Sequence, residues 1–190
     1  MNVIKTDLEG VVIIEPTLFG DQRGYFFESY SQREFDAQVR SVRFVQDNES
    51  RSRYGVLRGL HFQQGRYAQS KLVRVVEGCV LDVAVDVRRG SPTFGRHVAV
   101  ELSAENKRQL FIPRGFAHGF SVLSPSATFQ YKCDNLYAPE SEGAIAWNDP
   151  AIGIDWRIPE ADILLSEKDR RHPLLAEAGE LFDYNTDYYA

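Results

Sequence analysis

Four side chains interrupt otherwise apolar stretches of this sequence in a way that proton chemistry would use: His61, Lys71, His118 and Tyr131. His118 has the parity of Phe116, Phe120 and Val122, Tyr131 that of Phe129 and Cys133, and Lys71 that of Val73 and Val75. Extended strands would therefore direct all three toward an apolar side. His61 shares parity with Leu57 and Gln63. Singly, each residue has a structural explanation: buried histidines and tyrosines find hydrogen-bond partners, and a lysine at a strand end extends into water. Yet an unpaired buried lysine costs stability, so a lysine aimed inward points to function. Together, a histidine base, a phenolic acid, a lysine and a second histidine around a barrel mouth suit proton abstraction beside a carbonyl. The base takes the proton, and donor or cationic groups stabilise the enolate oxygen. Arg23, Arg58 and Arg114 offer forked donors for a diphosphate, and Glu28 and Glu142 offer acceptors for sugar or base hydrogens. No glycine-rich phosphate loop is present, so no dinucleotide cofactor is expected.

Short strands must position these groups. From Val73 to Val87 the odd positions read Val73, Val75, Cys79, Leu81, Val83, Val85 and Val87, while the even ones include Arg74, Asp82 and Asp86. A break at Glu77-Gly78 makes this a hairpin or two strands. The alternation returns at Val98 to Leu102, at Phe116 to Val122 and at Phe129 to Cys133, with turn formers at Gly90-Ser91-Pro92, Pro113-Arg114-Gly115 and Ser124-Pro125-Ser126. Such spacing predicts an antiparallel sandwich, jelly roll or barrel. Helices are few. Ser31 to Glu34 and Ser166 to Asp169 match capping boxes, and Phe35 and Val39 follow the first at helical spacing. The stretch 138–159 reads as a long ordered loop, and the Tyr184 to Tyr189 end is free to pack or fray.

With 190 residues and 43% hydrophobic content, the chain is expected to form one domain over residues 1–190. Its net charge of -5 argues against general nucleic-acid or membrane-surface binding, which needs summed positive potential. Cys79 and Cys133 lie in apolar runs without CxxC spacing, so free buried thiols in a reducing compartment are expected. No leader or membrane-length apolar run is seen, and a cytoplasmic protein is expected.

The stretch Phe111 to His118 contains PxGxxH, which resembles the second half of the cupin signature, but His61-Phe62-Gln63 stands where a His-x-His would supply metal ligands. Glu77 would have to complete a site with His61 and His118, leaving a metal-dependent cupin enzyme as the rival enzyme reading. The segments 20–30 (GDQRGYFFESY), 44–63 (FVQDNESRSRYGVLRGLHFQ), 111–120 (FIPRGFAHGF) and 147–156 (WNDPAIGIDW), with SEKD at 166–169, closely resemble the dTDP-4-dehydrorhamnose 3,5-epimerase family in order and over nearly the whole chain. The resemblance implies a mostly β, cupin-like jelly-roll barrel with a few short helices, a dTDP-linked 4-keto-6-deoxyhexose as substrate, and neither metal nor cofactor. It implies His61 as the base for C3 and C5, Asp169 as its orienting partner, Tyr131 as the acid on the opposite face, and Lys71, with His118, beside the C4 oxygen, the nearest alternative within the family being an enzyme that inverts C3 alone or C5 alone. It further places Arg23, Phe26, Glu28, Gln46, Asp47, Asn48, Arg58, Glu142 and Lys168 around the substrate and Tyr137 against thymine. A homodimer with exchanged N-terminal strands is implied as well. Arg58 and His61 differ in parity, and a bulge at Gly59 would reconcile them.

Overall fold

Two antiparallel sheets packed face to face carry the chain, seen in a computed structural model that describes residues 1–190. In chain order the strands are β1 (Asn2–Lys5), β2 (Val12–Glu15), β3 (Phe19–Asp21), β4 (Gly24–Phe26), β5 (Gln46–Arg53), β6 (Leu57–Gln63), β7 (Lys71–Glu77), β8 (Cys79–Asp86), β9 (Arg88–Arg89), β10 (His97–Ser103), β11 (Gln109–Ile112), β12 (Phe116–Val122), β13 (Ser126–Cys133), β14 (Glu142–Ala144) and β15 (Phe182–Asp183). The larger sheet runs β1-β2-β11-β7-β13-β5 and the smaller β10-β8-β12-β6-β14, the cupin-like, β-rich arrangement expected. Helix α1 (Gln32–Gln38) is capped by Ser31, whose hydroxyl accepts from the Glu34 amide at 3.5 Å, while the Glu34 carboxylate turns to Gln38 at 2.9 Å instead of closing the box.

Between the sheets lies an apolar cluster drawn from both: Val73, Val75 and Phe129 from the larger, Val80, Ala84, Phe116, Phe120 and Val122 from the smaller. Phe120 and Phe129 stack across the interior at 4.3 Å between centroids. Burying each such ring contributes roughly 1.5–3 kcal/mol.

The odd-even alternation of β8 does not separate a dry face from a wet one. Leu81, Val83, Val85 and Val87 point away from the sandwich into a second cluster, completed by Ile145, Ile152, Trp156, Leu175, Ala178 and Phe182 from the C-terminal third. The even positions point inward, so Asp82 and Asp86 are both fully buried. The C-terminal wrap is anchored where Ser121 donates to the Trp156 carbonyl at 2.8 Å and the Trp156 indole donates to the Trp147 carbonyl at 2.8 Å. The stretch read as a loop from 138 contains β14, which pairs with β6 so that Ala144 lies opposite His61. The tyrosine-rich end packs: the Tyr189 hydroxyl lies 2.6 Å from Ser70 Oγ.

Candidate active site

A cavity of about 510 Å³ opens between the sheets and is lined by Arg58, His61, Lys71, His118, Phe120, Phe129, Tyr131, Lys168 and Asp169, among others. A second lobe of about 320 Å³ shares His61, Lys71 and Tyr131 and adds Gln46, Asn48, Gln63, Tyr137 and Glu142. His61 stands on β6 of the smaller sheet and Tyr131 on β13 of the larger, so the two face the cavity from opposite walls.

A bulge aims the histidine. Against β12, Arg58 pairs with Phe120 and His61 with His118, so two residues, Gly59 and Leu60, lie opposite Gly119 alone. Leu57 and Leu60 therefore both enter the outer cluster, and Arg58 and His61 both enter the cavity. This overturns the shared facing of Leu57 and His61 that simple alternation implies. Glycine is required here: Gly59 has φ +128°, and a Cβ on it would stand 2.6 Å from the Gly119 Cα.

Segment 164–169 runs beside the start of β6, with the Leu57 amide donating to the Leu164 carbonyl at 3.0 Å, and delivers Asp169 to His61. His61 Nε2 lies 2.6 Å from Asp169 Oδ1, and Ser166 Oγ donates to Oδ2 at 2.7 Å. Burial by itself would raise the Asp169 pKa. The His61 hydrogen bond, followed by that of Ser166 and the charges of His61 and His172, outweighs it and holds the carboxyl at about 2. The carboxylate fixes the proton on Nε2, which leaves Nδ1 as the basic lone pair of His61. The partial exposure of this imidazole, 29% of its side chain, lies toward the cavity.

His118 Nε2 sits 2.9 Å from Asp82 Oδ2 inside the sandwich. Burial lowers the His118 pKa and raises that of Asp82, each partner offsetting the other's shift in part. Burial also lowers the pKa of Lys71, whose ammonium lies 5.9 Å from the Tyr131 ring centroid. Tyr131 is pushed up by burial, so its phenol keeps its proton at neutral pH. Glu142 is ion-paired with Lys168, which outweighs burial and lowers its pKa, and accepts from the Tyr137 hydroxyl at 3.3 Å.

The structure thus gathers His61, Asp169, Tyr131, Lys71, His118, Arg58, Gln46, Asn48, Tyr137, Glu142 and Lys168 around one bilobed cavity. Other expected residues lie elsewhere in the chain. Arg23 and Phe26 sit on the exposed β3-β4 hairpin, Arg23 paired with Asp21 at 2.6 Å and Phe26 69% exposed, and Glu28 borders a different groove beside Tyr30 and Ser31. Asp47 points to the outer side of β5, where it pairs with Lys132 at 3.0 Å, because its parity is opposite to that of Gln46 and Asn48. Arg114 is no diphosphate ligand here: it is tied to Asp134 at 3.1 Å and stacks on Tyr189.

Glu77 ends β7 at the surface, bonded to Arg51 and Thr128, so it does not join His61 and His118 as a metal ligand. The side chains of metal-binding type that do converge are His61, Asp169 and His172, with ligand atoms within 4.8 Å of one another. Their 2.6 Å contact is a hydrogen bond, tighter than two ligands at about 2.1 Å from a shared tetrahedral ion would sit. Sequence reasoning missed His172, Asp82 and the second role of Ser166. His172 at three residues beyond Asp169, in an otherwise charged turn, was the one signal available.

Comparison with known proteins identifies one family. Residues 5–177 match the family model described as dTDP-4-dehydrorhamnose 3,5-epimerase. The chain is 59% identical over 182 residues to the dTDP-4-dehydrorhamnose 3,5-epimerase of Salmonella typhimurium, covering 94% of this chain and 97% of that protein. Its fold superposes on the crystal structure of the dTDP-6-deoxy-D-glucose-3,5-epimerase of Legionella pneumophila in complex with dTDP-4-keto-L-rhamnose, with a TM-score of 0.93, 50% identity and coverage of 97% and 99% of the two chains. The dTDP-4-dehydrorhamnose 3,5-epimerase of Elizabethkingia anophelis gives a TM-score of 0.89 at 56% identity, covering 93% and 97%.

Proposed function

Since this chain belongs to the dTDP-4-dehydrorhamnose 3,5-epimerase family, we propose that it inverts C3 and C5 of dTDP-4-dehydro-6-deoxy-D-glucose to give dTDP-4-dehydro-L-rhamnose, with His61 as base and Tyr131 as acid. It is an isomerase. The observation that carries the assignment of roles is the His61-Asp169 pair on one sheet facing Tyr131 on the other across a cavity large enough for a hexose ring.

His61 Nδ1 removes the proton beside the C4 ketone, and Asp169 stabilises the imidazolium that forms. Lys71 donates toward the developing enolate oxygen, with His118 beside it held to Asp82 through Nε2; burial in this site strengthens the lysine's interaction when the charge appears. Tyr131 returns a proton from the opposite wall, which converts exchange into inversion. The same cycle serves both C3 and C5. Arg58, Gln46, Asn48, Glu142 and Lys168 hold the sugar and diphosphate, and Tyr137, exposed at the rim, offers a stacking face to the thymine.

Arg23, Phe26 and Glu28 act from a second copy of the chain. Their exposed hairpin carries apolar surface at Phe19, Tyr25 and Phe26 that an exchanged homodimer would cover. Asp47, on the outer side of β5, would bear on that same interface. No helix is long and apolar enough to cross a membrane; a cytoplasmic setting is our proposal from the sugar-nucleotide chemistry.

NMR of the 4-keto-6-deoxyglucose nucleotide in deuterated buffer tests this account. Deuterium should enter at both C3 and C5 with wild-type protein and at neither with His61→Ala. Exchange that persists in His61→Ala would refute the base assignment.

A further inference from the structure

Three side chains converge on the Asp169 carboxylate, and the mechanism above uses only one of them. Oδ1 lies 2.6 Å from His61 Nε2 and 3.3 Å from His172 Nε2, while Oδ2 accepts from Ser166 at 2.7 Å. Local geometry explains the second histidine. Asp169–Arg171 forms a 3₁₀ turn, and in that helix residues three apart lie one above the other, so the side chain at position 172 falls directly on that of 169.

The turn is fixed on both sides. Its first residue is capped by Ser166 Oγ, which accepts from the Asp169 amide at 3.1 Å. After it, the Pro173 carbonyl accepts from Ala146 at 2.7 Å, and the Leu175 amide donates to the buried Asp149 carboxylate at 2.7 Å. His172 itself takes the extended conformation that a following proline favours, with φ -68° and ψ 144°. Its side chain is 10% exposed, stands edge-on to the His61 ring at 5.4 Å, and does not line either lobe of the cavity.

We infer that His172 is a positioning residue for the epimerisation. It holds the Asp169 carboxylate against His61 and draws off part of the negative charge that His61 feels, thereby setting the lower pH limit of activity. The proposal rests on the reading of His61 as base. Two hydrogen bonds to Oδ1 leave that oxygen less free to swing and less basic toward either partner than one would. His172 plays this part as a neutral donor: burial, reinforced by the neighbouring His61, lowers its pKa, with Asp169 opposing. The other charged groups facing the pair are Glu142 from β14, paired with Lys168, His118 from β12, paired with Asp82, and two cavity cations without a carboxylate partner, Lys71 from β7 and Arg58 from β6, which both variants below leave unchanged. Removing the His172 donor leaves a more basic carboxylate, which stabilises the imidazolium and moves the acidic limb of the rate profile upward.

The test compares His172→Leu, which loses the donor, with His172→Gln, whose amide nitrogen reaches close to the position of Nε2. Both are read by kcat, KM and the pH profile of kcat/KM. His172→Leu should lower kcat about tenfold, close to the scale of one hydrogen bond to a charged group, with KM within about twofold, and raise the acidic limb by about half a pH unit, since only part of that bond's effect on the carboxylate is passed on to His61. His172→Gln should keep kcat within about threefold and leave the limb in place. Equal losses in the two variants, or an unmoved limb in His172→Leu, overturn the proposal. Should His172→Leu fail to fold by circular dichroism, His172→Asn, whose amide is too short to reach Oδ1, takes its place with the same expectations. The base reading fails separately, by deuterium exchange that survives His61→Ala; failure of the His172 proposal leaves that exchange abolished.

Discussion

Replacing Asp169 with alanine is the sharpest probe of the proposed mechanism, in which this carboxylate acts on the reaction through His61. Its pKa drops from an ordinary 3.8 to about 2, a preference for the charged form worth roughly 2.5 kcal/mol at 1.36 kcal/mol per pH unit. That preference is shared among His61, Ser166 and His172, with the His61 hydrogen bond the largest of the lowering influences. An interaction of about 1.5–2.5 kcal/mol with the imidazolium follows, so Asp169→Ala should reduce kcat/KM roughly ten- to seventyfold. Substrate affinity should change little, since the residue bears on the developing charge and not on the sugar. The assay is kcat/KM by coupled turnover, paired with deuterium incorporation by NMR, in a cycle of Asp169→Ala, His61→Ala and the double variant. Once His61 is gone, loss of Asp169 should cost less than about threefold more. A full additional loss in the double variant, or an unimpaired Asp169→Ala, would refute the reasoning.

Tyr131→Phe should retain proton exchange while losing net inversion at C5, read by NMR in deuterated buffer; parallel loss of both would remove the phenol from the acid role. Gly59→Ala forces a Cβ to within 2.6 Å of the Gly119 Cα at a backbone conformation suited to glycine, and should lower stability by more than about 2 kcal/mol in chemical denaturation while uncoupling Arg58 from His61. A wild-type denaturation curve with full activity would contradict the role given to the bulge. Mixing His61→Ala with Arg23→Ala, each weak alone, should restore activity if the β3-β4 hairpin serves a neighbouring site, because some mixed dimers then carry one intact site; no recovery after subunit exchange would speak against it.

Much of this protein is legible in its residue pattern. Period-two alternation located β7, β8, β10, β12 and β13, and parity alone aimed His118, Tyr131 and Lys71 inward, because a strand's side chains have only two directions to take. The serine caps at Ser31 and Ser166 were legible because capping is local, decided within three residues. What alternation hid is non-local. Asp82 looks like the polar half of an amphipathic strand, yet the C-terminal wrap covers the other face of β8 and buries both, so the aspartate becomes the partner of His118. The alliance of His61 with Asp169 joins residues 108 apart in sequence, and no spacing rule reaches that far; only the family resemblance suggested it. The facing of His61 depends on a bulge whose two strands meet through Gly59 and Gly119, one glycine opposite another. Sequence thus pointed to the groups suited to proton chemistry and to the strands that carry them. Tertiary packing decided which of them meet, because the pairing of distant strands, and not the local chain, sets the direction in which each side chain finally points.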